Sequence, residues 1–264
     1  MESRILTKSN LIINKDIGVG LVIFVVEGEK TEFEIIENIF TKVFSYTIIT
    51  KKRFENEPIT FYEDEKFPNS KIVILNSSNS SLSSVRTGAD YLDNIYRTLN
   101  FKYNIDCENA AIYYIFDRDR FSNSPLLIKS LLNELGNSRD NGINPNGLLL
   151  LSYPSVESLL ISYKEENVLN KKLYTKIKEY IYNNKYYPNT VNLEQVVNAT
   201  LEMIKAIEDK SNKPFNTSII DNFISTNLTV FRSQESHYSA LDRYQLISLF
   251  TIAFMDLNLI TIQL

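Results

Sequence analysis

The sequence predicts an α/β fold: a mainly parallel sheet flanked by helices, followed by an all-helical extension. Two apolar runs, 21–26 and 110–116, show no polar alternation, which is typical of strands covered by helices on both faces. Segments with helical spacing alternate with strand-like runs up to about residue 163, and this order favours a parallel sheet. We therefore expect an α/β domain over 1–163 and a helical extension over 164–264.

Local patterns predict the elements of the first part in order. We expect an edge strand or loop over 1–19, a strand over 21–26, a helix from about 29–31 to 43, a short strand over 46–49, a loop or hairpin over 56–69, a strand over 71–75, a helix over 84–101, a strand over 110–116, a helix over 124–135, a strand over 148–151 and a helix after 155. Pro125 suits a first helical turn, and Gly136 suits the C-cap of that helix. A basic cluster, Lys51-Lys52-Arg53, has no predicted role.

The second part is predicted to be helical, with no visible linker before it. The helices are expected over 168–183, 192–209, 216–226 and 240–257. The apolar segment 246–264 suits either the core or the surface of a homo-oligomer, and we expect core.

Composition narrows the classes of function. The chain of 264 residues has 44% hydrophobic and 23% charged residues, which is ordinary for a soluble globular protein. A single cysteine, Cys107, excludes an internal disulfide framework and is compatible with the cytoplasm, where we expect the protein. No apolar run of 18 residues occurs, so we expect no membrane span. The net charge of −4 argues against coating nucleic acid by charge alone, and no Gly-rich phosphate loop is encoded.

Carboxylates follow both central strands at the point where each ends. Glu27 follows the first run, and Asp117 and Asp119 follow the second. Ligands of parallel sheets bind outside the carboxyl ends of the strands. If the two strands are neighbours, the three carboxylates repel one another and stay ionised only with a cation between them. Hard oxygen ligands suit Mg²⁺ or Mn²⁺, so the sequence predicts a divalent-metal site that acts on phosphate.

Three motifs at these positions resemble a known family. They are Val-Glu-Gly-Glu-Lys-Thr-Glu over 26–32, Asp-Arg-Asp over 117–119, and Tyr-Pro-Ser-Val-Glu-Ser-Leu-Leu over 153–160. Together they resemble the Toprim fold over roughly 20–163, and most closely its stand-alone RloB-like and OLD-related nucleases of bacterial phage defence. Two positions depart from the pattern: Arg120 replaces a glycine common after Asp-x-Asp, and Val156 replaces an aromatic residue.

The resemblance implies roles for the acidic residues. It assigns catalysis to Glu27, Asp117 and Asp119, and it makes these three residues metal ligands together with Glu32 and Glu157. The alternatives are ordinary acids in the first turn of a helix for Glu32 and Glu157, and a helix-capping role for Asp119.

Three basic residues near these motifs are candidates for phosphate binding. They are Lys30, Arg118 and Arg120. Lys30 is alternatively a surface lysine, and the two arginines alternatively offset the acidic cluster, which we expect of one of them.

Two functions remain open at this level. The first is a metal-dependent nuclease acting on DNA or RNA, for which the resemblance implies a role in anti-phage defence or abortive infection and a separately encoded ATPase partner. The second is a non-catalytic binding module on the same scaffold. The intact Glu-Gly and Asp-x-Asp motifs favour the nuclease, whereas the acidic balance and the missing glycine favour the module.

Overall fold

The computed structural model describes residues 7–28, 30–54, 57–76, 97–105, 109–118, 123–139, 147–161, 173–216 and 218–263. The strands within these residues are β1 Leu11–Ile13, β2 Leu21–Val26, β3 Tyr46–Phe54, β4 Glu57–Asp64, β5 Lys71–Leu75, β6 Ala111–Asp117, β7 Gly136–Asn137, β8 Gly147–Tyr153, β9 Ile247–Ser248 and β10 Ile260–Ile262. The α-helices are α1 Thr31–Asn38, α2 Pro125–Glu134, α3 Leu173–Asn183, α4 Leu193–Ser211, α5 Ser218–Asp221, α6 Phe223–Leu241 and α7 Thr251–Asp256.

An eight-stranded mixed sheet forms the centre of the fold. Its order is β3-β4-β5-β2-β6-β8-β7, and β9 pairs with β8 beside that path. The central strands β5, β2, β6 and β8 are parallel, whereas the outer pairings are antiparallel. The fold is therefore α/β, with mostly parallel central strands, flanking helices and a C-terminal helical region, as the sequence predicts. The prediction that the C-terminal extension is all-helical is wrong, because β9 pairs with β8 of the sheet and β10 pairs with β1.

Strand β2, and β6 up to Phe116, are apolar because both faces of the sheet are covered. The ring of Phe24 on β2 lies 5.5 Å from that of Tyr113 on β6, and 5.6 Å and 5.8 Å from the rings of Phe40 and Phe250. All four of these side chains are fully buried. Ile23, which points to the opposite face of β2, is fully buried as well, so burial on both faces explains why neither strand alternates between apolar and polar residues.

Strands β3 and β4 form a hairpin that is longer than the predicted short strand. The predicted loop or hairpin over 56–69 contains β4, and β3 extends through the basic cluster to Phe54. Helix α1 ends at Asn38 and continues as a π-helical turn, Ile39–Val43, which completes the predicted helix. The predicted helix over 84–101 lies largely outside the described residues.

Gly136 has a different role from the predicted C-cap. The C-cap of α2 is Leu135, and Gly136 begins β7. A Cβ at Gly136 would overlap the side chain of Ile224 on α6, so the glycine allows α6 to pack closely on the sheet.

The predicted helix boundaries after residue 216 are wrong. A single 19-residue helix, α6, replaces the break expected at 226, and α7 is much shorter than the expected helix over 240–257. Asn227 and Gln234 of α6 are buried and bond to main-chain groups, Asn227 Nδ2 donating to Leu149 O at 2.7 Å. Polar residues on the buried face therefore interrupt the apolar pattern by which such a helix is recognised.

The end of the chain belongs to the core, as predicted. Phe250, Ile252 and Phe254 are fully buried, and β10 pairs with β1 near the start of the chain. In the part of the chain that the structure describes, no helix is both long enough and apolar enough to cross a membrane.

Candidate functional site

The predicted juxtaposition of Glu27 and Asp117 follows from the order of the strands. Strands β2 and β6 are adjacent and parallel, with Val26 opposite Ile115. The backbone N–H of Asp117 donates to Glu27 Oε2 at 3.4 Å. The Glu27 carboxylate therefore lies beside the backbone of Asp117 at the carboxyl edge of the sheet, where parallel sheets bind ligands.

Glu32 joins these two residues through the glycine that follows Glu27. Glu32 lies in the first turn of α1 and is only 7% exposed. A Cβ at Gly28 would overlap the Glu32 carboxylate, so only glycine allows the carboxylate to approach the backbone this closely. The group that approaches Gly28 is therefore a carboxylate of the chain itself.

The third motif contributes both a backbone donor and a carboxylate. The N–H of Val156 donates to Asp117 Oδ1 at 2.7 Å, which ties the end of β6 to the turn after β8. Glu157, next to Val156 in a 3₁₀ turn, is only 4% exposed. Glu157 Oε2 and Ser155 Oγ are buried, and neither has a hydrogen-bond partner among the described residues. A buried polar atom without a partner requires an explanation, and a bound ion or water is one that suits this edge.

The four carboxylates influence one another electrostatically. Burial of its carboxyl group raises the pKa of Asp117 well above its ordinary value. The negative charges of Glu32, Glu157 and Glu27 raise this pKa further, in that order of size. The hydrogen bond from Val156 lowers it, but with the smallest effect. A cation among these groups would favour the ionised form of Asp117, because an opposite charge lowers the pKa of a carboxyl group.

The donor atoms of the cluster favour a divalent metal ion, whereas the present positions of the side chains do not. All of its donors are carboxylate oxygens, the ligands that Mg²⁺ and Mn²⁺ prefer, and one buried oxygen has no partner. As the side chains stand, however, the described residues contain no group of three or more His, Cys, Asp or Glu that could hold a metal ion. The donor set fits a hard divalent ion, and its binding would require the carboxylates to converge further.

Arg118 turns away from this edge, contrary to the phosphate-binding role considered for it. Its side chain is fully buried, and Nε donates to Glu235 Oε1 of α6 at 3.0 Å. The guanidinium also lies 5.9 Å and 5.7 Å from the ring centres of Phe231 and Tyr244. Successive residues of a strand point to opposite faces, so Arg118 leaves the sheet on the side opposite to Asp117. It joins the sheet to α6 and is not accessible to a phosphate.

Of the three remaining predicted site residues, the structure describes only Lys30. Lys30 is exposed immediately before α1, at the same edge as Glu27. Asp119 and Arg120 lie outside the described residues, so their predicted roles stay predictions.

Asn76 belongs to this edge as well, although its sequence context predicts only a polar loop. It follows β5 and is buried, and its Nδ2 donates to Val26 O at 3.1 Å and to Glu27 O at 2.6 Å. These two bonds fix the backbone from which the Glu27 side chain projects. The available signal was its position, since it is the first polar residue after the strand parallel to β2.

Comparisons with known proteins add no relative. No protein-family profile, no curated protein and no solved structure matches the chain.

Proposed function

We propose that this protein is a metal-dependent nuclease of the Toprim type that hydrolyses phosphodiester bonds of DNA or RNA. The observation that carries the proposal is the meeting of Glu27, Glu32, Asp117 and Glu157 at the carboxyl edge of adjacent parallel strands. The buried, unpartnered oxygen of Glu157 supports it independently. Acids that serve only solubility have no reason to be buried, as Glu32 and Glu157 are.

Each carboxylate of the cluster has a defined part in the proposed chemistry. Glu27, Glu32, Asp117 and Glu157 would hold Mg²⁺ or Mn²⁺, with Asp119 as a further predicted ligand. The bound ion supplies activation of water and stabilisation of charge on the phosphoryl oxygens. Val156 N–H holds Oδ1 of Asp117 and thereby leaves Oδ2 for the cluster.

The partly exposed residues of the edge face the substrate in this proposal. Glu27 is only partly buried, in contrast to Glu32 and Glu157, so it is placed to accept a proton from the attacking water. Lys30, exposed at the same edge, would offset the negative charge of the substrate phosphate.

The biological setting is proposed from the motifs. The resemblance to RloB-like and OLD-related proteins supports a role in anti-phage defence or abortive infection, in the cytoplasm and with a separately encoded ATPase partner. The chain itself carries no Gly-rich phosphate loop of either common pattern.

The second candidate is a binding module that keeps the scaffold without catalysis. The observation that favours it is the spread of the carboxylates, since no three acids of the described residues are placed to hold an ion as they stand. In that case a metal would bind weakly or not at all, and nucleic acid would be bound without being cut.

The test is a cleavage assay on labelled DNA and RNA, single-stranded and duplex, with Mg²⁺, with Mn²⁺ and with EDTA. We expect cleavage that requires a divalent ion and that Glu27→Gln and Glu157→Gln abolish or strongly reduce. Glu194→Gln is the matched control, because Glu194 is an exposed acid outside the cluster whose partner is the exposed Lys8. Metal-independent cleavage would contradict the proposal. Absence of cleavage with any metal, alone or with the neighbouring gene products, would favour the binding module instead.

A further inference from the structure

The basic cluster lies at the same edge of the sheet as the carboxylates. Strand β3 pairs antiparallel with β4, and β4 pairs antiparallel with β5, so β3 runs parallel to β2 and ends at the same edge. The register fixes the level of each residue along the strands. Lys52 is opposite Ile59, which is opposite Leu75, which is opposite Val25. Lys52 is therefore level with Val25, and Arg53 is one position closer to the level of Glu27.

The spacing of the strands gives the distance between the two features. Three strand-to-strand steps separate β3 from β2 in the sheet order. At about 4.8 Å for each step, the backbone of the basic cluster lies about 14 Å from that of β2. One strand of B-form DNA advances about 3.4 Å per nucleotide, so the separation corresponds to roughly four nucleotides.

Because the chain as a whole is acidic, it needs a local group of cations to bind nucleic acid at this edge. The net charge is −4, and the candidate site adds four carboxylates, two of them buried, to the same edge. A polyanion approaching that edge meets repulsion unless cations lie along its path. Arg118 is buried against α6 and cannot serve, while Lys30 supplies one exposed cation at the same edge as Glu27.

We propose that Lys51, Lys52 and Arg53 bind the sugar–phosphate backbone of the nucleic acid whose cleaved bond lies at the carboxylate cluster. This inference rests on the proposed function for the position of the cleaved bond. Phosphates roughly four nucleotides from the cleaved bond would lie at the level of this cluster, beyond the ends of β4 and β5. Phosphate contacts of this kind position a nucleic acid without reading its sequence.

A competing explanation comes from the place of β3 in the sheet. It is an edge strand, and charged residues on edge strands prevent pairing with other chains. Ile48 and Ile49 of the same strand are 42% and 52% exposed, which makes such protection useful. The two explanations predict different results. If the charges protect the edge, their loss makes the protein associate with itself. If they bind phosphates, their loss weakens the binding of nucleic acid and reduces the salt dependence of that binding.

The first experiment compares two triple variants with equal changes of net charge. Fluorescence anisotropy measures the binding of labelled oligonucleotides in EDTA at several salt concentrations. The test variant is Lys51→Gln/Lys52→Gln/Arg53→Gln. The control is Lys15→Gln/Lys66→Gln/Lys71→Gln, whose residues are exposed near the opposite edge, where Lys71 pairs with the first residue of β2.

We expect the test variant to bind about tenfold or more weakly and the control variant to bind nearly as the wild type does. The slope of log K against log salt should fall by about 2.7 for duplex, or about 2.1 for a single strand, if all three contacts are lost. Equal weakening in both variants, or no weakening in the test variant, would overturn the inference. Parallel arms with DNA and RNA show which backbone is preferred.

Two further variants separate phosphate binding from protection of the edge strand. Lys51→Glu/Lys52→Glu/Arg53→Glu keeps three charges on the edge, so it should elute as the wild type does in size-exclusion chromatography and bind more weakly than the glutamine variant. Glu57→Gln removes the acid opposite Phe54 at the end of the hairpin and should tighten binding. A glutamate variant that binds as the wild type does would show that the cluster only protects the edge.

The inference and the proposed function fail in different ways. If the glutamine triple variant cleaves with metal and an unchanged KM, the basic cluster does not bind the substrate, but the proposed nuclease activity stands. If binding depends on the basic cluster but no cleavage occurs, the cluster binds nucleic acid and the proposed nuclease activity is wrong. If the wild type binds no oligonucleotide, the inference is wrong. The cleavage assay alone then tests the proposed nuclease activity.

Discussion

Asp117 and Arg118 are neighbours in the sequence, yet their charged groups lie in opposite surroundings. The Arg118 guanidinium is fully buried and paired with Glu235, and Asn123 O accepts a further hydrogen bond at 3.2 Å. The Asp117 carboxyl group is surrounded by three carboxylates and receives one backbone N–H. A buried charge with an opposite partner in the chain is structural. A partly buried acid among like charges destabilises the fold without a cation, so it requires another explanation.

The largest effect on cleavage is expected from Asp117→Asn, which tests whether Asp117 belongs to a functional site. Asparagine keeps an acceptor for Val156 N–H and removes one of the repelling charges. We expect cleavage to fall by roughly 10²–10³-fold or more, as for the loss of an electrostatic contribution to the transition state. Stability in EDTA should stay level or rise, because a repulsion is relieved.

Cleavage assays and thermal melting in EDTA and in Mg²⁺ check this prediction. If the variant melts well below the wild type in EDTA and keeps its activity when folded, Asp117 is a structural residue and not part of the site.

Arg118→Ala tests the structural side and should have the next largest effect. It removes one partner of a buried ion pair and two contacts with aromatic rings. Such a loss typically costs about 3–5 kcal/mol of the free energy of unfolding. Urea denaturation measures this cost, and activity should survive in the protein that remains folded.

The matched control for Arg118 is Lys8→Ala, which breaks a pair with Glu194 that is exposed on both sides. Its denaturation midpoint should not change measurably, since exposed pairs contribute little. An Arg118 variant as stable as this control would contradict the structural role.

The smallest effect is expected from Gly28→Ala, which sharpens the comparison within the carboxylate cluster. The new methyl group would displace the Glu32 carboxylate, and the flexible end of that side chain can move at little cost in stability. We expect cleavage to fall by about tenfold and the melting temperature to change by less than about 2 °C.

A double-mutant cycle locates the cause of this loss. Glu32→Asp shortens the side chain by about 1.5 Å and draws the carboxylate away from Gly28. Gly28→Ala should therefore have little further effect in the Glu32→Asp background. Independent, additive losses would show that Gly28 acts through something other than Glu32.

The carboxyl edge was predictable because it depends on short-range patterns. The apolar runs before Glu27 and Asp117 predict neighbouring buried strands, and the end of a strand fixes where the next residue lies. Glu32 and Glu157 required the resemblance of the motifs, since each alone is also an ordinary acid of a first helical turn. Their burial supplies the physical reason for treating them together.

The other side of β6 was not predictable from local patterns. The partner of Arg118 lies 117 residues further along the chain, on a helix whose polar buried residues hide its extent. The face to which Arg118 points follows from strand alternation, but what covers that face depends on the tertiary fold. Asn76 was missed for the same reason, because its acceptors lie on another strand.

The central claim is that the four carboxylates form a single site for a divalent cation. Isothermal titration calorimetry of the wild type with Mn²⁺, beside Asp117→Asn, Glu157→Gln and the control Glu194→Gln, tests it directly. We expect saturable binding in the wild type and the control, and an affinity at least about tenfold lower in the other two variants, as a lost ligand would cause. Binding of equal affinity in all four proteins, or no binding in the wild type, would contradict the claim.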